Sequence, residues 1–162
     1  METGNKGYYK LLQYGLRLFT KKRYTTCEMH KKLTAYAKKR EAIDDEFVAS
    51  VMERLEELGY LDDKQFVEDY ASHCARVRPR GKILIERELK FKGLPKDLIE
   101  KGFEKVEIDE ETVAFDLLMK RLKRWLKYPK YEQKTKAYQF LYSKGFNRDA
   151  IYKAIERCYN HE

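Results

Sequence analysis

The sequence predicts an all-α protein made of three tandem three-helix repeats, lined up as an elongated, curved array. Three observations predict it. Apolar residues recur at helical spacing almost throughout, as in Leu12, Leu16 and Phe19, or Phe47, Val48, Val51, Met52 and Leu55. Strand-like alternation is absent, and 8 Gly and 3 Pro in 162 residues are too few for the turns of a β-sandwich or barrel. The third observation is a recurrence. Ile43-Asp44, Leu94-Pro95 and Phe146-Asn147 stand 51 and then 52 residues apart, and each opens the same stripe. Val48, Ile99 and Ile151 correspond, followed by Val51, Gly102 and Ala154, by Met52, Phe103 and Ile155, and by Leu55, Val106 and Cys158. A stripe that returns in register marks a repeat architecture, in which neighbouring units bury what one unit of about 50 residues leaves open.

Each element follows from its own start and stop signals. The first helix is expected over 8–22, on the stripe of Leu12, Leu16 and Phe19. The second, 26–40, opens with the capping box Thr25-x-x-Glu28. The third, 44–58, has Asp44 as N-cap and ends before Gly59, which supplies the positive φ of a C′ residue. Asp62-x-x-Gln65 opens the fourth, 62–77, and the fifth, 80–92, runs to Gly93. Pro95 suits the first position of the sixth, 95–106, which carries Leu98, Ile99, Phe103 and Val106. Asp109 caps the seventh, 109–127; the eighth, 130–144, stops before Gly145; Asn147 caps the ninth, 147–159. These group into repeats 1–61, 62–108 and 109–162.

Composition narrows the function. Lys and Arg number 35 against 27 Asp and Glu, a net charge of +8, which favours an acidic partner such as nucleic acid, an anionic membrane surface or an acidic protein groove. Cys27, Cys74 and Cys158 are odd in number and far apart, without CxxC spacing, so neither a zinc site nor a disulfide framework is expected. Free buried thiols and a cytoplasmic setting fit them. The opening METGNKGYYK has no apolar run, so no secretory signal is expected, and no stretch approaches 18 apolar residues. His30, His73 and His161 lack the spacing of a metal site or a catalytic triad. Neighbouring acids such as Asp44-Asp45 and Glu56-Glu57 point apart on a helix, and no Walker A, GxGxxG or GxSxG motif occurs. No enzyme, no cofactor and no metal are expected, and the chain is expected to act as a monomer.

Two basic clusters are the candidate binding residues. Arg76, Arg78, Arg80 and Lys82 fall within seven residues around Pro79. Lys120, Arg121, Lys123, Arg124, Lys127, Lys130, Lys134 and Lys136 fall within 17 residues against one acid, Glu132. On a helix through 127, Leu117, Leu118, Leu122 and Trp125 face the core and Lys120, Lys123, Arg124 and Lys127 share the outer face. Trp125, Tyr128 and Tyr131 could stack or anchor beside them. The other tyrosines fit helix stripes and packing.

The middle of the chain reads Gly59-Tyr60-Leu61-Asp62-Asp63, then Phe66-Val67, Gly81, Ile85, Glu88-Leu89 and Lys92-Gly93-Leu94. The first repeat adds Arg23, Thr26, Glu28, Met29 and Leu33. Together these resemble the RecX family of regulatory proteins, over nearly the whole chain. Many members carry a basic residue beside the position of Ile85, whereas Leu84 and Glu86 flank it here. The resemblance implies a modulator that lies in the groove of the RecA–DNA filament and restrains its ATPase, strand exchange and co-protease activity. The residues alone also allow a helical protein that binds DNA directly, or an adaptor for an acidic protein. The GYLDD stretch has a structural reading of its own: Gly59 ends a helix, Leu61 staples the turn and Asp62 caps the next helix.

Overall fold

The computed structural model describes residues 2–40 and 46–160, and the side chains from residue 6 onward. Among the described residues there are nine α-helices and no strand. They are α1 (Glu2–Phe19), α2 (Thr26–Ala37), α3 (Glu46–Glu57), α4 (Asp63–Arg76), α5 (Lys82–Phe91), α6 (Lys96–Lys105), α7 (Glu110–Leu122), α8 (Lys130–Ser143) and α9 (Arg148–Tyr159). The fold is an all-α helical repeat. The expected Asp44 cap and His161 lie outside the described residues.

The caps form where the sequence places them. Thr25 and Glu28 make the reciprocal capping box of α2. Asp62 accepts from the Gln65 amide at 2.9 Å, Asp109 from Thr112 at 3.1 Å and Asn147 from Ala150 at 2.9 Å. Gly59, Gly93 and Gly145 hold φ of 75, 84 and 80°. At Gly59 and Gly145 the paired bonds of a Schellman ending are present: Gly59 to Glu56 and Tyr60 to Leu55, Gly145 to Tyr142 and Phe146 to Leu141.

Two helices differ from expectation. Helix α1 begins at Glu2 rather than residue 8, and the buried Gly7 lies inside it, because packing outweighs glycine's poor helix propensity. Helix α7 ends at Leu122, not at 127. Pro129 disfavours helical backbone at Tyr128, and the approach to it is a run of tight turns, with Arg124, Trp125 and Tyr128 amides bonded three residues back.

The chain divides into two compact units, residues 1–66 with 91–96, and residues 67–90 with 97–162. In the first, α1, α2 and α3 pack on one another around Leu11, Met29, Leu33, Val51 and Leu55, all fully buried, with Tyr14 stacked on Tyr36 at 4.0 Å. In the second, α9 lies against both α7 and α8 over Leu118, Leu141, Phe146, Ile151 and Ala154.

A polar clamp ties the returning segment 91–96 to α2 within the first unit. The fully buried Thr25 donates its hydroxyl to the Lys92 carbonyl at 2.7 Å, and the Lys92 ammonium reaches Glu28 Oε1 at 2.9 Å. Burial alone would push the Glu28 carboxyl up, but its bonds to Lys92 and to the Thr25 amide, with the Lys92 and Lys22 charges, together hold it below its ordinary value of 4.5. A carboxyl depressed in the folded state stabilises above its unfolded pKa and loses that contribution as pH falls through the folded value. Glu28→Gln should therefore cost about 1 kcal/mol at pH 7, and the gap to the parent should close in acid below pH ~4. Urea unfolding at pH 7 and pH 3 checks this; an equal gap at both would show the carboxylate charge to be irrelevant.

Candidate partner-binding surface

The residues quoted from the middle of the chain serve mainly as fasteners. Asp62 caps α4, while Asp63 reaches across and accepts the Thr26 amide at 2.8 Å, at the start of α2. Leu61 is buried. A Cβ at Gly93 would stand 2.4 Å from Cys27 Sγ, so the α5 ending can reach α2 only as glycine. Cys27 is accordingly half-buried, short of the full burial expected, while Cys74 and Cys158 are buried. Burial pushes the Cys158 thiol up to about 11, which leaves it protonated and unreactive at neutral pH.

The first basic cluster divides by the work its members do. Arg76, the last residue of α4, and Arg78 are exposed. Arg80 is half-buried and ion-paired with Glu88, whose other oxygen accepts the Tyr70 hydroxyl at 2.7 Å. Burial and the Glu88 carboxylate push the Tyr70 phenol well above its ordinary value, so it stays a donor. Glu88 of α5 thus holds Tyr70 of α4 and the intervening Arg80 together, and the Arg80 charge is largely spent inside the molecule. Lys82 is half-buried, and its backbone amide donates to Glu110 Oε1 at 2.9 Å. Glu110 Oε2 accepts Asn147 Nδ2 at 2.7 Å, so one carboxylate joins the start of α5 to the start of α9.

The second cluster is open. Lys120 and Arg121 close α7, and Lys123, Arg124 and Lys127 lie in the turns that follow; all five are exposed. The early end of α7 means that these charges do not lie along one continuous helix face. Leu118 is buried, Leu117 and Trp125 are half-buried and packed against the core, and Leu122 is half-buried. Rings hold two of these cations, Arg121 and Lys127. Arg121 lies over Phe140 at 4.6 Å, and Trp125 meets Phe140 edge-on at 5.8 Å. Lys127 and Lys136 flank Tyr128 at 5.2 and 4.4 Å. Such contacts restrict long side chains without neutralising them.

Sequence reasoning assigned no binding role to Lys144, which lies 5.9 Å over the same Phe140 ring as Arg121. It also missed exposed apolar side chains beside the charges, Val77 at 66% and Leu126 at 58% exposure. The sequence signal for the latter two was an apolar residue standing among cations.

Residues 62–102 match the family model for the second three-helix domain of RecX, and residues 109–155 match that for the third. The chain belongs to the RecX family. A protein named Regulatory protein RecX from Legionella pneumophila is 31% identical over 91% of this chain and 93% of its own length. One from Chlorobaculum tepidum is 28% identical over 96% of this chain and 91% of its own. The crystal structure of RecX from Lactobacillus salivarius superposes with a TM-score of 0.80 at 20% identity, over 94% of this chain and 97% of that one. The RecX fold therefore extends well beyond the two matched domains. No helix among the described residues is long and apolar enough to cross a membrane.

Proposed function

We propose that this chain is a non-enzymatic regulator that docks in the groove of the RecA–DNA filament and inhibits ATPase, strand exchange and co-protease activity. The observation that carries the reading is the second basic cluster: five exposed cations within eight residues, without an acid among them, on a RecX fold. Positive charge raises the rate of encounter with a DNA-loaded filament. Several modules in one chain can touch neighbouring protomers together, and linked contacts gain effective concentration, so weak patches suffice. Bridging subunits that must shift during ATP turnover restrains turnover. The three repeats 1–61, 62–108 and 109–162 are the modules of this reading, which needs no cofactor and works in the cytoplasm as a monomer.

Titration of the chain into a DNA-dependent RecA ATPase assay tests this. Activity should fall at substoichiometric dose. Neutralising Lys120, Arg121, Lys123 and Arg124 to Gln should slow association with the filament about tenfold or more at low salt, and less as salt rises. Unchanged ATPase together with no filament binding at low salt would remove the proposal.

A further inference from the structure

Helix α5 buries one face and leaves the opposite one uncovered. Ile85 and Leu89 are fully buried. Ile83, Arg87 and Phe91 stand four residues apart, and at 3.6 residues per turn they share an arc of roughly 80° on the other side. That register belongs to one continuous helix, Lys82–Phe91, and needs no other element to set it. Ile83 is 49% exposed and Arg87 is exposed. Phe91, at 90%, is the most exposed large apolar side chain among the described residues. A single exposed apolar residue needs no explanation, but two in helical register around a cation make a face. Lys90 shares the arc and is tied to Glu86. Among the described residues Arg87 makes no ion pair.

We propose that Ile83, Arg87 and Phe91 form a docking strip for a protein partner whose apolar groove carries a carboxylate at mid-length. Eight residues at a rise of 1.5 Å make the strip about 12 Å long, so it suits a groove that holds two helical turns. Charge complementarity fixes the carboxylate. The unpaired charge of the strip is Arg87, set between two apolar anchors, and its planar fork takes a carboxylate through two bonds. Aromatic and Arg side chains carry most of the energy of protein interfaces. A nucleic-acid strand fits less well. It presents an anion at every nucleotide, while the strip offers one unpaired cation, and the aliphatic Ile83 gains nothing from phosphate. A second copy of this chain also fits less well, because two chains of net charge +8 repel. This rests on the filament reading, and it assigns contact with the filament's protein component to α5.

The test uses the full chain and a RecA filament assembled on immobilised oligo-dT, with association and dissociation followed by interferometry across a salt series. Phe91→Ala should speed dissociation about 30-fold at every salt concentration, the scale of a buried aromatic anchor, and leave the association rate within about threefold. Arg87→Glu should speed dissociation about tenfold or more, by setting two carboxylates against each other. Leu58→Ala trims an apolar side chain, 44% exposed, outside the strip and should leave dissociation unchanged. Unchanged dissociation in Phe91→Ala, or an equal change in Leu58→Ala, overturns the strip. So does a loss of binding to bare oligo-dT in Phe91→Ala, which would assign the face to the strand. A parent that sediments as a dimer and returns to monomer in Phe91→Ala would assign it to a second copy, and overturns it as well. RecA ATPase is read in parallel. If the parent binds and inhibits and Phe91→Ala does so equally, the strip fails and the filament reading stands. If the parent neither binds nor inhibits, the filament reading fails and the strip falls with it.

Discussion

Gly145→Ala should destabilise the second unit by roughly 3–5 kcal/mol, several times the cost of Gly59→Ala. The two glycines have nearly the same backbone, φ 80 and 75°, and both end a helix in a Schellman turn. The left-handed conformation costs an alanine about 1 kcal/mol or a little more at either. The surroundings separate them. A Cβ at Gly59 meets nothing within 4 Å, so only the conformational term applies. A Cβ at Gly145 would stand 2.3 Å from Leu84 Cβ and 2.6 Å from its backbone nitrogen, which cannot swing away. Gly81→Ala meets the same joint from the other side, with Gly145 and Phe146 backbone atoms at 2.1 to 2.3 Å. Its φ carries no left-handed penalty, so its whole cost comes from forcing the segments apart. Urea unfolding followed by Trp125 fluorescence, the sole tryptophan and a resident of this unit, reads both variants; far-UV circular dichroism reads Gly59→Ala. Equal costs at Gly59 and Gly145 would mean that the joint is loose in solution.

The second large effect contrasts two phenylalanines. Phe146→Ala should cost about 3–5 kcal/mol, because a large side chain only 1% exposed leaves a cavity among Leu118, Leu141 and Ile151. Phe91→Ala should stay within about 0.5 kcal/mol, since that ring is 90% exposed at the end of α5. Thermal melts of the two variants check the pair. A stability loss at Phe91 comparable to that at Phe146 would show that its ring is covered in solution. Sequence spacing agrees with the contrast: Phe91 lies off the Ile85–Leu89 stripe of α5, whereas Phe146 opens the recurring stripe that leads into α9.

Those cases show where local reasoning stops. Thr25, Glu28, Asp62, Asp109 and Asn147 could be placed as caps because a cap is a contact over three residues, complete within the local chain. The glycine endings at 59, 93 and 145 are equally local. The register of Val48, Ile99 and Ile151 exposed the repeat, because each module solves the same packing problem with the same stripe. Helix α7 reads longer in sequence than it is, because its apolar spacing continues through Trp125, while the turns before Pro129 replace four-residue bonds with three-residue ones.

The candidate surface was legible only as charge density. Counting Arg76, Arg78, Arg80 and Lys82 treats four cations alike, yet Glu88 takes up Arg80 and leaves Arg76 and Arg78 to solvent. Lys144 stands alone in sequence among Ser143, Gly145 and Phe146, and nothing near it suggests a cluster.

What the sequence determined by itself was the helical class, the caps, the threefold recurrence and the positive balance, since each depends on neighbours a few residues away or on a sum over the chain. Tertiary structure decided which charges face water, which glycines tolerate no side chain, and that Arg121 and Lys144 share one ring. Those outcomes depend on segments dozens of residues apart meeting within a few ångströms, and no local rule of spacing encodes such a meeting.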